Sequence, residues 1–341
     1  MLAERTPTII WPPTTREAKL VAYPCLGRWS ACPSLLWPAE WTKCLARRCS
    51  VAMAKVKRGH HTVPRFYLEG FVNEDHQLRF VKLSTKKRFH GSLSNTTVVK
   101  DFYNIDSRAD PNVVENLLAD IEGDAAEVFR KVLVEQHWPL HSNNRTVIAT
   151  FLALQRTRTP SHRAMVDEIG QIIAGIARER GIAPPAEIDH ADTKTVRVQS
   201  MLNIESHAPH YLGKSWWLVQ FRRKRLLTCD SPVGLLPHPD APDDAGLGIG
   251  TAWMMLFPMS PTVGLLMVTP DEDDRPKNVT DGMTDIFVDG TAYFARLFNE
   301  TMIDNARDSI IRHPDDGDLV PAELPEPRTT QLAAEECDGF G

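Results

Sequence analysis

GIGTAWMMLFPMSPTVGLLMV, residues 248–268, decides between two very different folds. It is the most apolar stretch of the chain, and a run of about 18 apolar residues would read as a membrane helix. Pro258 and Pro261 argue against a helix, because an internal proline removes a backbone donor and clashes with the preceding turn. The same residues suit two buried strands joined by a turn. No other apolar run is as long, so the protein is expected to be soluble and free of membrane partners, and with only Cys229 and Cys337 beyond residue 52 it is expected to be cytoplasmic.

Strand texture continues on both sides of this stretch. WWLVQF (216–221), RLLTCDSPVGLLP (225–237), AWMMLFPMSP (252–261) and VGLLMVT (263–269) give three to five strands from residue 215 onward. Residues 284–312, carrying Tyr293, Phe294, Leu297 and Phe298, read as one closing helix. Upstream, helices dominate. In VVENLLADIEGDAAEVFRKVLVE (113–135), Val114, Leu117, Leu118, Ile121, Ala125, Val128 and Val132 share one face, and Asp110–Pro111 starts the helix. Ser142 is placed as the cap of NNRTVIATFLALQRTR (143–158), and Thr159–Pro160 opens SHRAMVDEIGQIIAGIARER (161–180). Residues 183–192 read as a loop, followed by a weaker helix over 193–212. Near the start, NEDHQLRFVKLSTKKRFHGSLSN (73–95) alternates like a hairpin turning near Ser84–Lys87, and VVKDFYNIDS (98–107) is a second aromatic-anchored segment. The expected class is α+β: an N-terminal β-hairpin, a central helical bundle, a C-terminal small antiparallel sheet and a closing helix.

Composition divides the chain. Residues 1–52 hold seven Lys/Arg against three Glu, a balance of +4, which leaves −9 of the overall −5 to the rest. They also hold Cys25, Cys32, Cys44 and Cys49, four of the eight tryptophans, and no helical or strand period. Zinc ligation by these cysteines lacks the C-x-x-C spacing that would support it. The stretch reads as a disordered or artefactual extension, ahead of a native-like start at Met53. Residues 53–322 are expected to form one domain, and residues 323–341 a disordered acidic tail. An acidic body disfavours general nucleic-acid binding while leaving a nucleic-acid substrate open. The basic runs Lys86–Arg88 and Arg222–Arg225 read as solvated strand or loop ends.

The candidate site begins at HHTVPRFYLEGF (60–71). Histidines serve as metal ligands or as proton carriers near neutral pH, although neighbours on an extended segment face opposite ways. Glu115 and Glu122 lie seven apart, about 20° from superposition on a helix, at the edge of its apolar stripe. Such a pair can bind a divalent cation or divide acid and base duties. In the next helix the apolar face of Ile148, Phe151 and Leu152 runs on into Gln155 and Arg158. A charge placed there needs a partner, and Glu115 or Glu122 could supply it. Arg156 and Arg163 read as solvated. Asp230 and Ser231 end an apolar strand ahead of Pro232, which suits a ligand or base but equally a turn that caps its own backbone. Ser231 lacks the G-x-S-x-G setting of a nucleophile. G-x-G-x-x-G, G-x-x-x-x-G-K-[ST] and H-E-x-x-H are all missing, which removes Rossmann and nucleotide-dependent phosphoryl-transfer chemistry.

Seven segments, HHTVPRFYLEGF, KDFYN (100–104), VVENLLADIE (113–122), FLALQRTRTP (151–160), TCDSPV (228–233), FPMSP (257–261) and FNE (298–300), together resemble domain of unknown function 4238. They span about residues 58–312. The resemblance implies a mostly bacterial family and supplies no activity. It implies that His60, His61, Pro64, Glu115, Glu122, Arg158, Asp230 and Pro232 occupy recurring positions. The usual Thr-Ser-Asp appears here as Thr228-Cys229-Asp230.

Two functional readings follow. The first is a metal-dependent hydrolase acting on a phosphodiester. His60, His61, Glu122 and Asp230 would be catalytic, and His61, Glu115, Glu122 and Asp230 would hold a divalent metal ion. Arg158 and Gln155 would bind substrate. The second is a non-catalytic ligand-binding or interaction module in which the same residues form a buried polar network.

Overall fold

The structure is a computed structural model that describes residues 59–93, 97–100, 102, 112–184, 193–223, 225–242, 246–270, 285–317 and 319–327. Residues 1–52 and their four cysteines, the helix start at Asp110–Pro111, most of the 183–192 loop and most of the acidic tail lie outside the described residues.

In chain order the first elements are β1 (Gly59–His61), α1 (Arg65–Glu69), β2 (Gln77–Lys82), β3 (Lys87–Ser92) and β4 (Val98–Lys100). A helical run follows: α2 (Val113–Leu133), α3 (Ser142–Thr157), α4 (Pro160–Glu179), α5 (Thr193–Leu202) and α6 (Ile204–Leu212). Then come β5 (Ser215–Gln220), β6 (Thr228–Cys229), β7 (Gly234–Leu236), β8 (Met254–Ser260), β9 (Val263–Val268) and β10 (Ile286–Asp289). The last elements among the described residues are α7 (Ala292–Asn305) and β11 (Ser309–Arg312). The class is α+β.

The stretch 248–268 forms the antiparallel pair β8–β9, with Pro261 and Thr262 in the turn. Every residue of β8 is buried. Pro258 is tolerated inside this strand because the register shifts between Pro258 and Ser260, and a bulge spares the ladder bond that proline cannot make. These strands are central in a five-stranded sheet of order β10-β5-β9-β8-β7. A second sheet, β3-β2-β11-β6, contains the expected N-terminal hairpin, and β1 pairs with β4 alone. Among the helices, α3 packs against α6 and α2.

Four expectations are corrected. Residues 284–312 are not one helix but strand, helix, strand. Ile286-Phe287-Val288 carries β-branched and aromatic residues that pair with β5. Thr291 then starts α7 by accepting a hydrogen bond from the Phe294 N–H. The C-terminal sheet is mixed, because β10 runs parallel to β5 while the other strands pair antiparallel. Residues 193–212 form two helices that break at Asn203. The cap before α3 is His141, with Ser142 inside the first turn. By contrast, Thr159 does cap α4, accepting from the His162 N–H at 3.2 Å with Pro160 in the first turn.

The core joins the helices to the large sheet. Phe66, Tyr67, Phe129, Phe151 and Phe257 form an aromatic nest, with Tyr67 and Phe257 centroids 4.9 Å apart and Phe129 and Phe151 5.6 Å apart. HHTVPRFYLEGF therefore threads its aromatics between α2, α3 and β8.

Candidate functional site

β1 places its two histidines as the alternation of a strand requires. His60 is buried, opposite Val99 of β4, and His61 is half-buried, opposite Val98. The Thr62 carbonyl next to them accepts a hydrogen bond from Gln155 Nε2 at 3.1 Å. Gln155 Oε1 in turn accepts from Arg158 Nε at 3.0 Å and Nη2 at 2.8 Å. Arg158 Nη1 donates to Glu122 Oε1 at 2.5 Å. The result is a relay from the first segment through α3 to α2. Its guanidinium is fully buried, while the Glu122 side chain keeps 27% of its exposure. Gln155 and Arg158 thus find the partner that their place on the apolar face demanded, and it is Glu122. Glu115 lies half-exposed two turns earlier, about 10 Å along the helix axis.

Asp230 belongs to a different arrangement. Its Oδ1 accepts the Arg307 N–H at 2.8 Å, and its Oδ2 accepts the N–H groups of Asp308 and Ser309, both at 2.9 Å. This captured turn carries the chain out of α7 and into β11. Burial raises the Asp230 carboxyl above its ordinary range, and the three N–H donors and Lys82 oppose that rise. Ser231 is buried, and its N–H donates to Cys229 Sγ at 3.4 Å. Cys229 itself packs in the apolar core beside Met302, which accounts for a small sulfur side chain in the middle of Thr-Cys-Asp.

Tyr67 ties three of the quoted segments together. Its hydroxyl lies 2.6 Å from Thr228 Oγ1 and donates to the Pro258 carbonyl at 2.7 Å. Asn299, in FNE, accepts from the Leu227 N–H and donates to the Arg225 carbonyl. Asn305, at the end of the same helix, donates to the carbonyls of Ser231 and Val233. Tyr67, Asn299 and Asn305 are therefore polar connectors between elements.

These segments lie within the matched region of one family. The chain matches the family described as protein of unknown function (DUF4238) over residues 59–316, most of its length. The chain belongs to the DUF4238 family. No curated protein and no solved structure matches it.

Of the expected site residues in this DUF4238 chain, Glu122, Arg158 and Gln155 are brought together, with Thr62 binding them to the His60–His61 strand. Asp230 sits in its own backbone turn. Among the described residues, no three His, Cys, Asp or Glu side chains come together as a metal ion would require.

Two further polar centres escaped the sequence reading, one buried and one half-buried. Arg145 and Asp285 form an ion pair with both side chains fully buried. Arg145 Nη1 donates to both carboxylate oxygens, and Nη2 donates to the carbonyls of Leu212 at 3.2 Å and Lys214 at 2.6 Å. Its guanidinium also stacks 4.2 Å over the Trp216 ring, while Asp285 accepts the Trp216 N–H. The signal was present: Arg145 stands one turn before Ile148 on the face that ends in Gln155. Asp285, across 140 residues of chain, had no such signal.

The second centre is His162, whose Nε2 lies 2.9 Å from Ser200 Oγ. Burial first, then the nearby Arg156 and His207 charges, push its pKa down to about 4. Arg156 is half-buried rather than solvated, and Arg163 lies 4.9 Å over the Phe102 ring.

Proposed function

We propose that this DUF4238 chain is a non-catalytic ligand-binding or interaction module whose recurring polar residues hold its elements together. The observation that carries this reading is the commitment of Asp230, whose two oxygens receive three backbone N–H groups. A carboxylate used in this way is a structural cap with little capacity left for a metal or a substrate. Glu122 and Gln155 are engaged in the same spirit, each bound to the buried Arg158. The rival reading is the metal-dependent hydrolase built on His60, His61, Glu115, Glu122 and Asp230.

Metal analysis of the purified full chain, beside a His60→Ala/His61→Ala variant, separates the two. It is paired with hydrolysis of a phosphodiester probe, bis(p-nitrophenyl) phosphate, in the presence of Mn²⁺. The proposal expects no stoichiometric metal and no hydrolysis. Stoichiometric metal lost in the variant, or hydrolysis abolished by Glu122→Gln in a folded protein, would overturn it in favour of the hydrolase.

A further inference from the structure

Four arginines, Arg222, Arg223, Arg225 and Arg296, line a single open groove of about 530 Å³. The first three lie on the loop after β5, and Arg296 projects from the second turn of α7. All four are exposed. Asp289 is the one carboxylate among the described lining residues, so the described lining carries a formal excess of three positive charges on a chain of net charge −5. No carboxylate of the described residues forms an ion pair with any of the four. Four like charges against one carboxylate raise the local potential and favour an anion.

The fold holds this gathering in place. The Arg225 N–H donates to the Pro261 carbonyl at 2.7 Å, and the Arg225 carbonyl accepts from Asn299 Nδ2 at 2.8 Å. The Phe221 N–H donates to the Thr262 carbonyl, and the Gly290 N–H to the Gln220 carbonyl. Gly290 permits the closest approach: a Cβ there would stand 2.4 Å from the Phe221 ring. The missing side chain lets the N-terminus of α7, with its positive dipole end, lie against the arginine loop. Ala292, Ala295 and Leu319 supply an apolar wall beside the charges.

We propose that this groove binds a small organic phosphate carrying two or more negative charges. The phosphates would lie on the guanidinium forks and the organic part would rest on the Ala292–Ala295–Leu319 wall. Arginine suits this role because its planar fork donates two parallel hydrogen bonds to phosphate. The volume falls in the range of small-molecule sites, and the acidic body disfavours a long polyanion. The groove shares no residue with the Glu122–Arg158–Gln155 relay or the Asp230 turn. This inference and the proposed function can therefore fail separately.

The test is titration calorimetry of the full chain with pyrophosphate, with ADP and with a single-stranded oligonucleotide, at low and at physiological ionic strength. Pyrophosphate and ADP are expected to bind one to one, ADP no more weakly than pyrophosphate, with affinity falling as salt rises. Arg223→Gln and Arg296→Gln are each expected to weaken binding about tenfold or more. Neither change should move the thermal midpoint of the unliganded protein, because both side chains are exposed. Arg296→Lys should retain part of the affinity, since the charge remains without the fork. The proposal is overturned if neither probe binds, or if the oligonucleotide binds and the small phosphates do not. Undiminished binding in an Arg223→Gln/Arg296→Gln double variant would also overturn it by placing the site elsewhere.

Discussion

Replacing Arg158 with Met keeps most of the buried volume and removes the three guanidinium hydrogen bonds of the relay. Gln155 Oε1 loses hydrogen bonds of 3.0 and 2.8 Å and stays buried, which costs about 1–3 kcal/mol for an unsatisfied acceptor. Gln155 is then no longer fixed with its Nε2 toward the Thr62 carbonyl, a neutral bond worth about 0.5–1.5 kcal/mol. Glu122 is not stranded, because its side chain is 27% exposed and can turn to water. The total is about 2–4 kcal/mol, toward the low end of the cost of breaking a fully buried pair. A domain of this size loses about 2–4 °C of thermal midpoint per kcal/mol, so the expected fall is roughly 4–16 °C. Thermal denaturation followed by circular dichroism measures it, with urea midpoints as the check. Glu122→Gln still offers an oxygen to Nη1 but leaves the buried guanidinium without its counter-charge, so it should cost about 1.5–3 kcal/mol, and the double variant should cost less than the sum of the two. A midpoint within about 2 °C of the parent for Arg158→Met would refute the idea that the relay holds the first segment to the helices.

Two further outcomes follow from Asp230 and His162. Asp230→Ala leaves three backbone N–H groups without an acceptor and should cost upwards of about 3 kcal/mol, whereas Asp230→Asn keeps one oxygen and should cost clearly less. Equal midpoints for the two variants would argue against the turn as the role of this carboxylate. His162 accepts a proton only near pH 4 in the folded protein, while the unfolded chain does so near 6.5. Between these values the unfolded state binds more protons, so the contribution of His162 is intact above about pH 6.5 and is lost as the pH falls toward 4. Urea midpoints across that window should show a shallower slope for His162→Gln than for the parent, and an identical slope would sink the assignment.

Much of the polar network was legible from helix periodicity. Gln155 and Arg158 continue an apolar face, and a buried charge must find a partner, so an acidic residue on the neighbouring helix was required. Which of Glu115 and Glu122 served could not be read, because both lie on one line of α2 and only the packing height of α3 chooses between them. Asp230 was ambiguous for another reason. Carboxylates that cap a turn and carboxylates that bind a ligand share the same strand-end position, and the N–H groups that claim Asp230 come from residues 307–309, far along the chain. The 284–312 segment misled because its aromatic residues fit a helical face. Its real boundaries come from Thr291 at one end and the Asp230 turn at the other.

The sequence by itself determined the α+β class, the hairpin at 77–92, the paired strands hidden in the most apolar stretch, and the need for a buried partner to Arg158. Each follows from local rules: proline breaks helices, side chains repeat with the period of their element, and buried charge must be compensated. Only the tertiary structure decided that β10 runs parallel to β5 and that Arg145 meets Asp285. The same holds for Tyr67, which joins Thr228 to Pro258, and for the four arginines that share one groove. These depend on which distant segments are brought within hydrogen-bond reach. Local periodicity carries no record of that.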